Sequence, residues 1–224
     1  MPNSFLAIID YKAGNQTSVR RALRHLSIPA EVTADPGMLR EASGVVFPGV
    51  GAAGQAMAQL RETGLDRAIS DIIGRGVPFL GICLGCQIML GHSEENDTET
   101  LGVLPGRVIR FDRESTDELG VPIRVPHMGW NSLKIEKGSA LFAGIGPKDQ
   151  FYFVHSYYPV PEPAAVLSTT YHGGPFCSAF GREGLWAVQF HPEKSAGPGL
   201  RMLRNFHDYS LGRLSPQGDA KGGL

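Results

Sequence analysis

Residues 81–85 read Gly-Ile-Cys-Leu-Gly, with the apolar run Pro78–Ile82 before them and Gln87–Leu90 after. The run has the pattern of a buried strand and the segment after it a helical look. A cysteine between two glycines at a strand-to-helix junction has the form of a nucleophile elbow, with sulfur in place of serine oxygen. The sharp turn holds Cys83 in strained dihedrals, and the glycines remove side chains that would collide there. A helix start behind the sulfur places partial positive charge beside it, which favours the thiolate. The Leu84 N–H is then placed to donate to the oxyanion of an attacked carbonyl. The chemistry this arrangement suits is acyl transfer.

Two other readings fit the same residues. Cys83 and Cys86 have C-x-x-C spacing, which is that of a redox pair. A Cys83 that merely fills space between turn glycines is the other. Against the redox pair, the glycines centre on Cys83, and the chain is longer than a thioredoxin-like protein needs. Cys86 is read as a small buried hydrophobe. A metal site would need two further ligands, and the sequence has no second C-x-x-C and no H-x-x-x-H. No metal and no cofactor are expected.

A thiolate nucleophile needs a proton carrier, and the carrier needs an acid to orient it. Among the seven histidines, His191 ends the apolar strand Leu185–Phe190 and is followed by Pro192-Glu193. Proline pushes the residue before it into an extended conformation, where side chains at 191 and 193 share one face. Glu193 can then accept the Nδ1 proton of His191 and leave Nε2 toward the thiol. His155 and His127 could serve as the base too, and spacing does not choose among the three. His25 and His207, on helical segments, are read as surface residues.

The elements that must position these residues follow from periodicity. Strand patterns cover Phe5–Asp10, Glu31–Thr33, Gly44–Phe47 (stopped by Pro48-Gly49) and Pro78–Ile82; helical patterns cover Ser18–Leu26, Ala52–Leu60 and Leu65–Ile73. That alternation is the signature of βαβ units and a parallel sheet. The second half is different, with strands at Arg107–Phe111, Phe151–Val154, Ala165–Tyr171, Phe176–Phe180 and Trp186–Phe190 and no long helix between them. A closing helix is expected over Gly199–Leu211. The fold class expected is α/β, a mostly parallel central sheet flanked by helices, with additional antiparallel strands in the second half. Residues 1–212 are read as one domain and 213–224, rich in glycine, as a disordered tail.

The chain has 224 residues, 21 Lys plus Arg against 22 Asp plus Glu, so its formal charge is −1. This balance argues against nucleic acid or an anionic membrane as the main partner. A hydrophobic share of 42% is that of a folded globular chain. Three cysteines do not make a secreted disulfide framework. The N-terminus has no basic segment before its apolar run, and no stretch reaches eighteen apolar residues. A soluble, cytoplasmic protein is expected.

Gly81–Gly85 with Gln87, together with His191-Pro192-Glu193, resembles the class I, triad-type glutamine amidotransferases. Pro48-Gly49-Val50-Gly51 resembles the oxyanion loop of that family. Within it, Pro126–Asn131 (PHMGWN), Tyr152–Tyr158 (YFVHSYY) and His191–Ser195 (HPEKS) are similar to the glutaminase subunits of imidazole glycerol phosphate synthase. So are Asp10-Tyr11 with Gly14-Asn15, and Ser93-Glu94-Glu95. The resemblance runs from about Phe5 to Leu211. It implies Cys83, His191 and Glu193 as a catalytic triad, and Leu84 with Gly49, Val50 and Gly51 around the oxyanion. It implies Gln87, Glu95, Ser156 and Tyr157 around the glutamine, and a (β/α)8 cyclase subunit as heterodimeric partner, docked near His127, Trp130 and Lys194. Other amidotransferase glutaminases, and a binding module on the same fold, are the competing functions. Lys12 departs from the family pattern, where glycine is usual, and Cys86 stands where methionine is common. The charged loop 112–118 is a further departure.

Overall fold

The computed structural model describes residues 3–12 and 15–215, the side chains of Asn3 and Ser4 excepted. In chain order the first half comprises β1 (Asn3–Ile9), α1 (Gln16–His25), β2 (Ala30–Thr33), α2 (Pro36–Glu41), β3 (Ala42–Gly49), α3 (Ala53–Thr63), α4 (Leu65–Gly74), β4 (Phe79–Cys83) and α5 (Leu84–Gln87). There follow β5 (His92–Ser93), β6 (Thr98–Glu99), β7 (Gly106–Arg110), β8 (His127–Ser132), β9 (Lys134–Ile135), β10 (Gln150–His155) and β11 (Tyr157–Pro161). The chain closes with β12 (Val166–Tyr171), β13 (Pro175–Arg182), β14 (Leu185–Val188) and α6 (Ala196–Ser210).

Among the described residues the central sheet has eight strands in the order β2-β1-β3-β4-β14-β13-β12-β9. The strands from β2 to β14 are parallel, and β13, β12 and β9 continue the sheet antiparallel. This is the expected division between the two halves of the chain. Period-two alternation sends neighbouring residues to opposite faces. Ala7, Ile9, Val45, Phe47 and Ala187 enter one core, with α3 and α4. Leu6, Ile8, Val46, Trp186 and Val188 enter the other, with α1 and α6. Two smaller sheets, β10-β8 and β11-β7-β5-β6, stand beside the central one.

Three local differences from the sequence reading have physical reasons. β3 runs on through Pro48-Gly49, pairing with Ile82 and Cys83 of β4, beyond the last β1 pair at Ile8 and Val46. The missing N–H of Pro48 therefore falls where β1 no longer needs it. The short helix is Leu84–Gln87 rather than Gln87–Leu90, because the carbonyls of Ile88, Met89 and Leu90 accept from Leu101, Leu104 and Gly102 instead. The helix α2, Pro36–Glu41, lies where the sequence reading placed no element. Asp35 caps it by accepting from Gly37 N at 2.8 Å, with Pro36 in the first turn.

Leu214 packs against the α1/α6 core. Pro216–Leu224, most of the expected tail, and Gly14 lie outside the described residues. No helix among the described residues is long and apolar enough to cross a membrane.

Candidate active site

Cys83 ends β4 at φ 55° and ψ −110°, a left-handed region that a side chain avoids unless its surroundings impose it. The glycines around it are sterically required. A Cβ on Gly85 would stand 2.0 Å from the Phe47 carbonyl oxygen, and one on Gly49 2.6 Å from Gly85 N. The elbow and the Phe47–Gly49 end of β3 are thus pressed together with no room for a methyl group, whereas Gly51 has open space around it and is favoured by its φ of 94°.

His191 lies beyond β14 at φ −104° and ψ 93°, extended as the following proline demands. Its N–H donates to the Tyr152 carbonyl at 2.9 Å, and its own carbonyl accepts from Ser195 Oγ at 2.6 Å. The ring donates from Nδ1 to Glu193 Oε1 at 2.7 Å. Nε2 is buried and finds no partner among the described residues, which leaves it as the free face of the ring. Burial disfavours charge on this imidazole, but attraction to Cys83 and to the Glu193 carboxylate outweighs it and pushes His191 up to about 10.

One cavity of about 420 Å³, within the usual size for a small-molecule site, holds Cys83, His191, Gln87, Glu95, Ser156 and Tyr157. Val50, Gly51 and Leu84 line it too. Glu95 Oε2 accepts from Ala53 N at 2.7 Å, closing the start of α3, whose N-cap Ala52 has no side chain able to do so. A larger cavity, about 760 Å³, lies against the 117–128 segment and contains, of the candidates, only His127.

The profile of the glutamine amidotransferase class-I family matches residues 7–208. The chain belongs to the class I glutamine amidotransferases. It is 60% identical over 204 residues to the imidazole glycerol phosphate synthase subunit HisH of Desulfovibrio desulfuricans, covering 91% of this chain and 94% of that one. It is 59% identical over 204 residues to the HisH subunit of Nitratidesulfovibrio vulgaris, covering 91% and 96%. The structure of PurLQS from Thermotoga maritima superposes with a TM-score of 0.69 at 16% identity, over 91% of this chain and 97% of that one.

The site of this amidotransferase also brings together residues that spacing alone did not single out. Asn15 Nδ2 donates to Glu193 Oε1 at 2.6 Å, and Gln189 Nε2 points at Cys83 Sγ from 3.8 Å. Asn15 appeared only within a motif, and Gln189 only inside a strand. Tyr11 packs edge-on against Phe47, and burial pushes its hydroxyl up to about 12.

The structure also corrects two expectations. His127 is 5% exposed, packed against Phe153, Phe176 and His172, so its ring offers no docking surface. His207 is likewise buried, beside Asp208. Cys83 and Cys86, the competing redox pair, are unbonded and enter cores on opposite faces of the sheet, which favours the reading of Cys86 as a buried hydrophobe. Burial raises the Cys86 thiol well above its usual range, as expected of an inert buried sulfur. Trp130, 51% exposed, and the Lys194 side chain do reach the surface. Both lie against Tyr152, at 6.0 Å between rings and 5.9 Å from ammonium to ring.

Proposed function

We propose that this chain is the glutaminase subunit of imidazole glycerol phosphate synthase. It hydrolyses glutamine through a thioester on Cys83 and passes ammonia to a (β/α)8 cyclase partner. The partner uses it to form imidazole glycerol phosphate and an aminoimidazole carboxamide ribotide in histidine biosynthesis, in the cytoplasm. The observation that carries this reading is a single cavity holding a cysteine at a strained elbow and a histidine already bonded to a buried carboxylate.

The Cys83 thiolate attacks the side-chain carboxamide carbon of glutamine, and the carbonyl electrons move onto oxygen. The Leu84 N–H and one from Gly49-Val50-Gly51 receive that oxyanion. His191 passes its Nε2 proton to the leaving nitrogen, the C–N bond breaks, and ammonia departs. Nε2 then takes a proton from water as it adds to the thioester. Collapse of the second intermediate breaks the C–S bond, releases glutamate and restores the thiolate and imidazolium. Glu193 keeps the imidazole in one orientation throughout. Gln87, Glu95, Ser156 and Tyr157 hold the glutamine, with Glu95 offering a carboxylate to its amino group.

Ammonia released into water would be protonated and lost as a nucleophile, so transfer calls for a docked partner. Met128, Trp130 and Lys194 supply an apolar and cationic face for it, close to the His191 backbone through Tyr152. Rapid quenching of the chain with glutamine tests the mechanism by intact-mass spectrometry. An acyl adduct that maps to Cys83 supports it, and turnover without any adduct on that residue contradicts it.

A further inference from the structure

A line of buried polar groups leads away from the Cys83 sulfur, and of its members only Gln87 and Tyr157 have a role in the mechanism above. Gln189 is 0% exposed, and its amide reaches in two directions. Nε2 stands 3.8 Å from Cys83 Sγ, while Oε1 accepts from Gln87 Nε2 at 2.9 Å. Gln87 Nε2 also donates to the Tyr157 carbonyl at 2.8 Å. From the other side His155 Nδ1 meets the same carbonyl at 2.8 Å. His155 Nε2 lies 3.1 Å from His127 Nδ1, and His127 Nε2 lies 3.5 Å from Asn131 Nδ2.

Donor and acceptor chemistry fixes each link. A carbonyl only accepts, so His155 carries its proton on Nδ1, and Gln87 turns its NH2 group toward Tyr157. The same NH2 group faces Gln189, which must answer with its oxygen. Gln189 is left with its own NH2 group aimed at sulfur. A neutral His155 protonated on Nδ1 has a lone pair at Nε2, so His127 donates from Nδ1 and accepts from Asn131 at Nε2. The orientations demanded at one end agree with those demanded at the other. Burial keeps both histidines neutral at physiological pH, holding His155 down at about 3 and His127 at about 4.

We propose that Gln189 is a further catalytic residue, a hydrogen-bond donor to the Cys83 thiolate, aimed by Gln87, whose own amide is fixed by the Tyr157 carbonyl. A thiolate accepts a hydrogen bond far better than a thioester sulfur does. The donor therefore favours ionised sulfur twice, before attack and when sulfur leaves the second tetrahedral intermediate. The proposal rests on the reading of Cys83 as the nucleophile.

The ionisable groups around this sulfur are His191, Tyr11 and Cys86, with Glu95 in the same cavity. Gln189 has no charge at any pH, so losing its donor moves the existing titration without adding a step. The experiment is the rate of Cys83 alkylation by iodoacetamide against pH, followed by mass spectrometry. In Gln189→Met the midpoint rises by about one pH unit, the scale of one hydrogen bond to an ionised group. Gln87→Met, which frees the Gln189 amide to rotate, moves it the same way by less. A folded Gln189→Met chain with an unchanged midpoint overturns the proposal. Should that variant not fold, the ¹⁵N-labelled unmodified chain decides. The Gln189 Nε2 protons shift as Cys83 ionises if they touch the sulfur, and their indifference overturns the proposal. Glutamine hydrolysis is read separately. A Cys83→Ala chain that still hydrolyses glutamine refutes the nucleophile, whereas an unchanged alkylation profile refutes Gln189 alone.

Discussion

Asn15 stands at the N-cap of α1 and yet does not cap it: its side-chain amide donates instead to Glu193 Oε1, 178 residues away, at 2.6 Å. The same oxygen accepts from His191 Nδ1 at 2.7 Å, while Glu193 Oε2 is buried with no partner among the described residues. A helix start has given up a local hydrogen bond to hold the carboxylate that His191 bonds.

Asn15→Ala leaves Glu193 free to rotate away from His191. Without that fixed geometry kcat falls about tenfold, the size expected for one positioning hydrogen bond, while KM for glutamine changes little. Asn15→Asp sets a second carboxylate against Glu193 and costs more. Steady-state kinetics of the two variants check this, and a loss confined to KM would count against it.

Glu95 serves two structures at once, lining the Cys83 cavity and closing the start of α3. Glu95→Gln keeps an oxygen for Ala53 N but loses the charge, so KM rises about tenfold with thermal stability preserved. Glu95→Ala raises KM as well and costs about 1 kcal/mol of stability through the lost cap. Kinetics and thermal melts on the pair separate the two roles.

Lys12 is held at φ 61°, the left-handed region where glycine is at ease. The departure from the family's usual glycine is thus a strained one. Lys12→Gly relieves about 1 kcal/mol of that strain, measurable as a higher urea midpoint. An unchanged or lower midpoint would show that glycine's extra freedom in the unfolded chain cancels the gain.

The neutral histidines predict acid lability. His155 and His127 are depressed to about 3 and 4, so on acidification the unfolded chain takes up protons near pH 6.5 while the folded chain does not. Their contribution is complete above pH 6.5 and shrinks as pH falls, by about 2 kcal/mol each at pH 5. His191, held protonated across this range, works in the opposite direction, so urea unfolding at pH 7 and pH 5 measures the net change, and in His155→Gln the loss is smaller by about 2 kcal/mol.

Much of this architecture could be read from residue order. Phe5–Ile9, Gly44–Phe47 and Pro78–Ile82 are continuous apolar runs that only a sheet covered on both faces can bury, and they became β1, β3 and β4. The elbow was legible because Gly81, Cys83 and Gly85 are local and each has a steric task. Asn15 and Gln189 were not, because their partners lie 178 and 106 residues away and an amide side chain has no periodic signature. His127 misled for the opposite reason. A histidine beside an exposed Trp130 looks available, but strand alternation turns it inward onto His155 while Met128 and Trp130 face out.

The central claim is tested most directly by ammonia release from glutamine. The purified chain and Cys83→Ala are each assayed alone and with an imidazole glycerol phosphate cyclase barrel and its ribonucleotide substrate. The account predicts slow release by the chain alone, strong stimulation by the loaded barrel, and loss of both in Cys83→Ala. Release that persists in Cys83→Ala, or a folded chain that stays silent beside a competent barrel, would contradict it.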